Sequence, residues 1–134
     1  MAKVIDGISS EIRGEWAHIG LAEAFQRLAL AAPARSLALF EHGTLQVKFY
    51  IPRGANDELI DPQTPHTRDE LYVVARGAGM FFNGETRRKT EVGDLIFAPT
   101  GKAHRFENFT EDFAVWVMFY GPEGGEAGGE EISG

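Results

Sequence analysis

The chain has 134 residues, 43% of them hydrophobic and 25% charged, which fits one globular domain able to bury about two thirds of the surface its unfolded form exposes. It has no cysteine; this excludes disulfides, thiolate metal sites, iron–sulfur clusters and a cysteine nucleophile, so any metal must be bound through nitrogen and oxygen. The formal net charge of −7 repels nucleic acid, and no apolar run approaches the ~18 residues of a membrane-spanning helix.

The opening segment Met1–Ser10 has one lysine, no continuous apolar stretch and no small-residue cleavage site. It does not read as a secretory leader, and a soluble, cytoplasmic protein is expected. Leu21, Ala24, Phe25 and Leu28 then recur at helical spacing, with Glu23, Gln26 and Arg27 on the opposite side. The spacing predicts an amphipathic helix that stops before Pro33. Trp16 and His18 lie just upstream, where a lone histidine reads as a packing or surface residue.

From Ser36 the texture changes to short β-rich runs divided by turn residues: Leu37–Glu41, Leu45–Ile51, Leu71–Ala75, Gly79–Phe82, Asp94–Ala98, His104–Glu107 and Phe113–Tyr120. His42-Gly43 and Asn83-Gly84 read as hairpin turns. Arg87-Arg88-Lys89 reads as a solvated hairpin end. In Leu45–Ile51 the residues Leu45, Val47, Phe49 and Ile51 share one face, and Gln46, Lys48 and Tyr50 the other. That polar face meets either water or a ligand; in the second case Lys48 and Tyr50 orient an anionic or oxygen-rich molecule. Val115, Val117 and Phe119 alternate with Trp116, Met118 and Tyr120, so both faces of that strand are apolar and buried, one against the helix or a second subunit. The class is mostly β, a closed or nearly closed antiparallel barrel or sandwich.

The last stretch, Gly121–Gly134, carries four glutamates and no basic residue, leaving 13 basic against 16 acidic residues in the rest. The folded body is therefore close to neutral. The organisation expected is an N-terminal helical extension over 1–35, a β domain over 36–122 and a flexible acidic Gly/Glu-rich tail over 123–134.

Two segments hold the chemistry: Gln63–Glu70, with His66 and Glu70, and Gly93–Asn108, with His104. An extended backbone through the first places His66 and Glu70 on one face. A second strand packed beside it completes a set of two imidazoles and one carboxylate, the facial arrangement that suits Fe(II), with Mn, Zn, Ni or Co also accepted. Tyr72 points with Glu70 on strict alternation and adds a hydroxyl.

The second segment resembles the second signature of the cupin superfamily, matched at every fixed position by Gly93, Pro99, Gly101, His104 and Asn108. Of the first signature, His66, Glu70 and Gly77 match the second half. Thr64 stands where the family carries its first histidine, and Glu58 where it carries a glycine. The resemblance covers about Ser36 to Pro122. It implies a small antiparallel jelly-roll β-barrel, a homodimer, and a divalent metal ion (Fe, Mn, Zn or Ni) inside the barrel on His66, Glu70 and His104.

With Thr64 in the first histidine's place, three arrangements follow: a three-ligand site with more open positions, a site joined by the amide oxygen of Gln63, or a site too weak to hold metal. The first is preferred because rigid strands fix the remaining geometry. Gly93, Pro99, Gly101 and Asn108 read as scaffold. The functional expectation is a metal-dependent enzyme on a small organic molecule, of the dioxygenase (oxidoreductase), isomerase or lyase type. A non-catalytic small-molecule or metal-binding sensor module is the alternative, and a metal-free scaffold a third reading.

Overall fold

The structure is a computed structural model that describes residues 3–4 and 16–127. Among the described residues the one α-helix, α1 (Leu21–Leu30), falls where the apolar spacing placed it and buries Ala24 and Leu28. Around it run β1 (Lys3–Val4), β2 (Ser36–His42), β3 (Leu45–Tyr50), β4 (Asp69–Arg76), β5 (Gly79–Phe82), β6 (Arg87–Thr90), β7 (Leu95–Ala98), β8 (Arg105–Glu107) and β9 (Ala114–Tyr120). Among the described residues, no helix is long and apolar enough to cross a membrane.

The strands form two antiparallel sheets, one in the order β1-β2-β3-β9-β4-β7 and the other β6-β5-β8. Of the expected alternatives, a closed or nearly closed barrel or a sandwich, full closure is not seen: no ladder joins the two sheets among the described residues. β7 and β6 each end a sheet. β6 opens with Arg87, Arg88 and Lys89, all exposed, and charged side chains on an edge discourage further pairing. This run, read from sequence as a hairpin end, is a true strand in register with β5. The Arg87 guanidinium covers the Phe82 ring at 4.3 Å and pairs with Glu107 at 2.7 Å.

The space between the sheets is filled by Tyr72, Val74, Phe81, Phe106, Phe109, Phe113, Val115, Val117 and Phe119. The outer face of the large sheet carries a second apolar layer, in which Ala24 and Leu28 meet Leu39, Phe49 and Ala114, with Trp116 packed alongside. The period-2 readings are borne out: Val115, Val117 and Phe119 face the inter-sheet layer, whereas Trp116 faces the helix. Phe49 likewise lies under α1, which turns its neighbours Lys48 and Tyr50 inward. His42 ends β2, exposed at its turn, and His18 is exposed.

Of the segment read as a loose tail, residues 123–127 are described, and they are tied to the body. The Gly124 N–H donates to the Thr67 carbonyl at 2.7 Å and the Glu126 N–H to Asp69 Oδ2 at 2.8 Å. Residues 128–134, like the opening segment 5–15, lie outside the described residues.

Candidate functional site

Glu70 lies on β4, paired with Ala98 of β7 on one side and Phe119 of β9 on the other. Strand alternation aims it with Tyr72 into the inter-sheet layer, where its side chain is 2% exposed. His104 immediately precedes β8 in the opposite sheet and is 4% exposed at its side chain. His66 stands in the loop before β4, so the extended backbone expected through it is replaced by a bend at Thr67 and Arg68. The ring still turns inward, with its centroid 4.7 Å from that of Phe119, and is the more open of the two at 37% side-chain exposure.

The two signature segments hold each other. The Gly101 N–H donates to the His66 carbonyl at 2.8 Å, and the Thr100 hydroxyl donates to the same oxygen at 3.1 Å. The Thr100 N–H also donates to Asp69 Oδ1 at 3.2 Å. Gly101 has φ +73°, the left-handed region where a side chain is strained, so the turn that fixes the His66 backbone depends on glycine. Asn108 contributes through its backbone, at φ 48° just after β8, with no side-chain hydrogen bond among the described residues.

Within this frame His66, Glu70 and His104 converge. Nε2 of His104 is 3.1 Å from Glu70 Oε1, Nε2 of His66 is 3.8 Å from Glu70 Oε2, and the two imidazole centroids are 6.3 Å apart. His66 is the distant member. As placed, no group of three or more His, Cys, Asp or Glu side chains among the described residues has metal-holding geometry.

The hydrogen bonding around the trio shows what it lacks. Asp61, buried and not singled out by the sequence, accepts the Phe106 N–H at 2.9 Å, the Gln63 amide N–H at 2.6 Å and the Tyr50 hydroxyl. Burial raises the Asp61 carboxyl above the usual carboxylate range, and those three donors oppose the rise. Because the Gln63 amide nitrogen serves Asp61, its oxygen faces Tyr72, whose hydroxyl donates to it at 2.6 Å. Burial first, then the Glu70 carboxylate, pushes the Tyr72 hydroxyl far up. That hydroxyl keeps its single proton and lies 2.6 Å from the Gln63 oxygen and 3.0 Å from His104 Nε2, the shorter contact marking Gln63 as its acceptor.

On the other side, His104 Nδ1 is 2.8 Å from the Lys102 carbonyl. A carbonyl only accepts, so Nδ1 carries the hydrogen. This leaves the His104 Nε2 lone pair 3.0 Å from the Tyr72 hydroxyl and 3.1 Å from Glu70 Oε1. Glu70 Oε1 is buried and accepts no well-formed hydrogen bond. Two lone pairs at that separation require a positive charge between them, either a proton on Nε2 or a metal ion. In the metal-free protein, burial pulls the His104 pKa down, but Glu70, the Lys102 carbonyl and Asp61 outweigh it and the net direction is upward.

Beside the trio opens a cavity of about 130 Å³ lined by Ser36, Lys48, Tyr50, Gln63, His66, Glu70, Val117 and Phe119. Lys48 and Tyr50, from the polar face of β3, therefore line this cavity. Gln63 is at the wall, but its oxygen is engaged by Tyr72. Thr64 is exposed and not among the lining residues. Asp61 escaped the sequence reading because a buried carboxylate in an irregular segment carries no periodic signal.

Comparison with known proteins agrees with this geometry. The cupin domain model (cupin 2) matches residues 49–120, more than half of the chain. The chain belongs to the cupin family. A Streptomyces coelicolor protein, the uncharacterized SCO3923, is 36% identical over 63 residues, which is 47% of this chain and 60% of that one. The match thus spans less than two thirds of that relative.

Among solved structures, KdgF from Halomonas sp. superposes with a TM-score of 0.55 at 21% identity, covering 66% of this chain and 80% of that chain. A cupin 2 conserved barrel domain protein from Salinispora arenicola gives 0.52 at 16% identity, over 64% and 74%. The DMSP lyase DddQ from Ruegeria pomeroyi gives 0.52 at 21%, over 73% of this chain and 48% of that one. At these identities the likeness establishes the shared fold.

Proposed function

We propose that this cupin binds one divalent metal ion (Fe, Mn, Zn or Ni) on His66, Glu70 and His104, and uses it to act on a small organic molecule held in the adjoining cavity. The observation that supports the reading is the buried, unpartnered Glu70 Oε1, which faces the lone pair of His104 Nε2 across 3.1 Å. The donor set, two imidazoles and a carboxylate, suits such ions and leaves coordination positions open. When bound, the ion supplies Lewis acidity to an oxygen of the ligand.

The chain's own residues prepare that site. The Lys102 carbonyl fixes the His104 tautomer that leaves Nε2 free, the commonest outer support of a metal-bound imidazole. Asp61 fixes the Gln63 amide, and Gln63 in turn holds the Tyr72 proton away from His104. Phe119 and Val117 give the cavity an apolar wall. Lyase, isomerase or dioxygenase chemistry is the enzymatic class proposed; the fold likeness to a DMSP lyase supports the lyase end of that range by analogy alone.

A metal-binding sensor module without turnover is the alternative. The same acceptor pair favours it equally, and turnover on a panel of small oxygen-bearing acids separates the two. A homodimer completes the proposal: edge strand β7 shows Leu95 and Phe97 to solvent at 66% and 47% exposure, and light scattering tests it.

Titration of chelator-treated protein with Fe(II), Mn(II), Zn(II) or Ni(II), with His104→Ala and His66→Ala beside it, tests the metal. The expected result is one equivalent bound by the wild type, a loss of affinity by about 100-fold or more in His104→Ala, and a smaller loss in His66→Ala, the looser ligand. Binding of none of the four ions removes the proposal.

A further inference from the structure

We infer that the cavity beside Glu70 takes a small carboxylic acid, and that Lys48 is the residue that binds its charge. The inference rests on the reading of this cavity as the ligand site, but not on which cation fills the gap between His104 and Glu70.

Lys48 projects from β3 on the face opposite Phe49, which is buried under α1. Its stem is held half-buried beside Tyr50 and the apolar wall of Val117 and Phe119. Among the described residues its ammonium has no ion pair and no hydrogen bond. Glu70, the nearest acidic wall residue, is turned to the two imidazoles at 3.1 and 3.8 Å. A half-buried ammonium without a protein partner, set beside an apolar wall, is free to pair with an anionic ligand.

A second donor stands beside it. Ser36 pairs with Tyr50 across the β2–β3 ladder, lines the same cavity, and its hydroxyl has no protein partner among the described residues. The Tyr50 proton is spent on Asp61, so Tyr50 offers only lone pairs. One ammonium and one hydroxyl match the two oxygens of a carboxylate. A phosphate needs several donors and more positive charge, and the wall holds no arginine and one lysine.

Size narrows the class further. At about 130 Å³ the cavity falls below the roughly 300 Å³ where drug-sized sites begin, which fits a short molecule. A carboxylate on Lys48 and Ser36 directs the other end of so short a molecule toward His66 and Glu70, where a hydroxyl donates to the unpartnered Glu70 oxygen and a second carboxylate or carbonyl oxygen is favoured when a metal ion is bound. The ligand is a short hydroxy-, oxo- or dicarboxylic acid.

Calorimetric titration with malonate and with glycolate tests this, using the uncharged malonamide as control and the wild type, Lys48→Met and Lys48→Arg as proteins, each with and without added Mn(II). The wild type is expected to bind malonate, Lys48→Met to bind it about tenfold or more weakly, and Lys48→Arg to recover part of the loss. Malonamide should bind all three weakly. Metal content measured on the same samples should not differ between Lys48→Met and wild type. Equal malonate affinity in Lys48→Met and wild type overturns the assignment, as does malonamide binding as tightly as malonate, or no malonate binding at millimolar concentration. Failure of the metal reading is separate, since it shows as a wild type that takes up no ion. Should Lys48→Met not fold, Lys48→Gln serves as the uncharged variant.

Discussion

The layer between the two sheets has two ends built on opposite principles. At one end Phe106, Phe109 and Phe113 stack closely, with centroids 4.9 Å apart for Phe106–Phe113 and 5.4 Å for Phe109–Phe113. At the other, Glu70, His104, Tyr72 and Asp61 are almost as deeply buried, and the half-buried Gln63 links Asp61 to Tyr72 through hydrogen bonds. The aromatic end gains from excluding water. The polar end gains only where each buried group finds a partner, and at Glu70 Oε1 the protein alone does not provide one. Phe106 belongs to both ends, its ring against Phe113 and its N–H donated to Asp61, so the fold invests rigidity in one to hold the other in place.

The largest expected effect comes from breaking the aromatic end. Phe113 is fully buried, and Phe113→Ala should cost about 3–5 kcal/mol by lost transfer and cavity formation, read as a fall in the urea midpoint. Asp61→Asn comes next, weakening the bonds from Tyr50, Gln63 and the Phe106 N–H; about 1–3 kcal/mol is expected in chemical unfolding.

A pH series on chelator-treated protein follows. His104 has a pKa raised in the folded state, so the charge it lends the Glu70 pair stabilises fully below the unfolded value of about 6.5 and is lost as pH rises through the folded value. Stability should fall with rising pH in that window. Added Zn(II) should reverse the slope, because metal binding needs the unprotonated imidazole.

The smallest stability change sharpens the contrast most. Glu70→Gln lets an amide N–H face His104 Nε2, so stability should stay within about 1 kcal/mol of wild type, or rise, while metal affinity collapses. A deeply buried residue whose replacement leaves the fold intact and abolishes binding would set the two ends apart. A loss as large as that of Phe113→Ala would make the polar end merely structural.

Much of this was legible in the sequence where side-chain period carried the information. Alternation in β3 and β9 separated the helix-facing from the inward-facing residues, and the helical spacing of Leu21, Ala24, Phe25 and Leu28 placed α1. The intact second signature pointed to His104, while His66 reaches Glu70 through a bend at Thr67 and Arg68 rather than by the strand alternation expected of it. What escaped depends on long-range pairing. β6 has no apolar run, since Arg87, Arg88 and Lys89 cover the end of β5 from outside. Separation into two sheets is a matter of which edges meet, and local sequence does not specify it. Asp61 reads like any surface carboxylate until the Phe106 N–H and Tyr50 are brought to it. Residues 123–127 have a tail's composition, and only the acceptors Thr67 and Asp69 hold them down.

The account turns on the cation required between His104 Nε2 and Glu70 Oε1. Imidazole nitrogen NMR of uniformly labelled protein reads it directly, first with chelator and then with one equivalent of Zn(II). The expected spectra show His104 protonated at Nδ1 throughout, with Nε2 protonated before Zn(II) is added and metal-shifted afterwards. A neutral His104 with its hydrogen on Nε2, unmoved by Zn(II), would contradict the account.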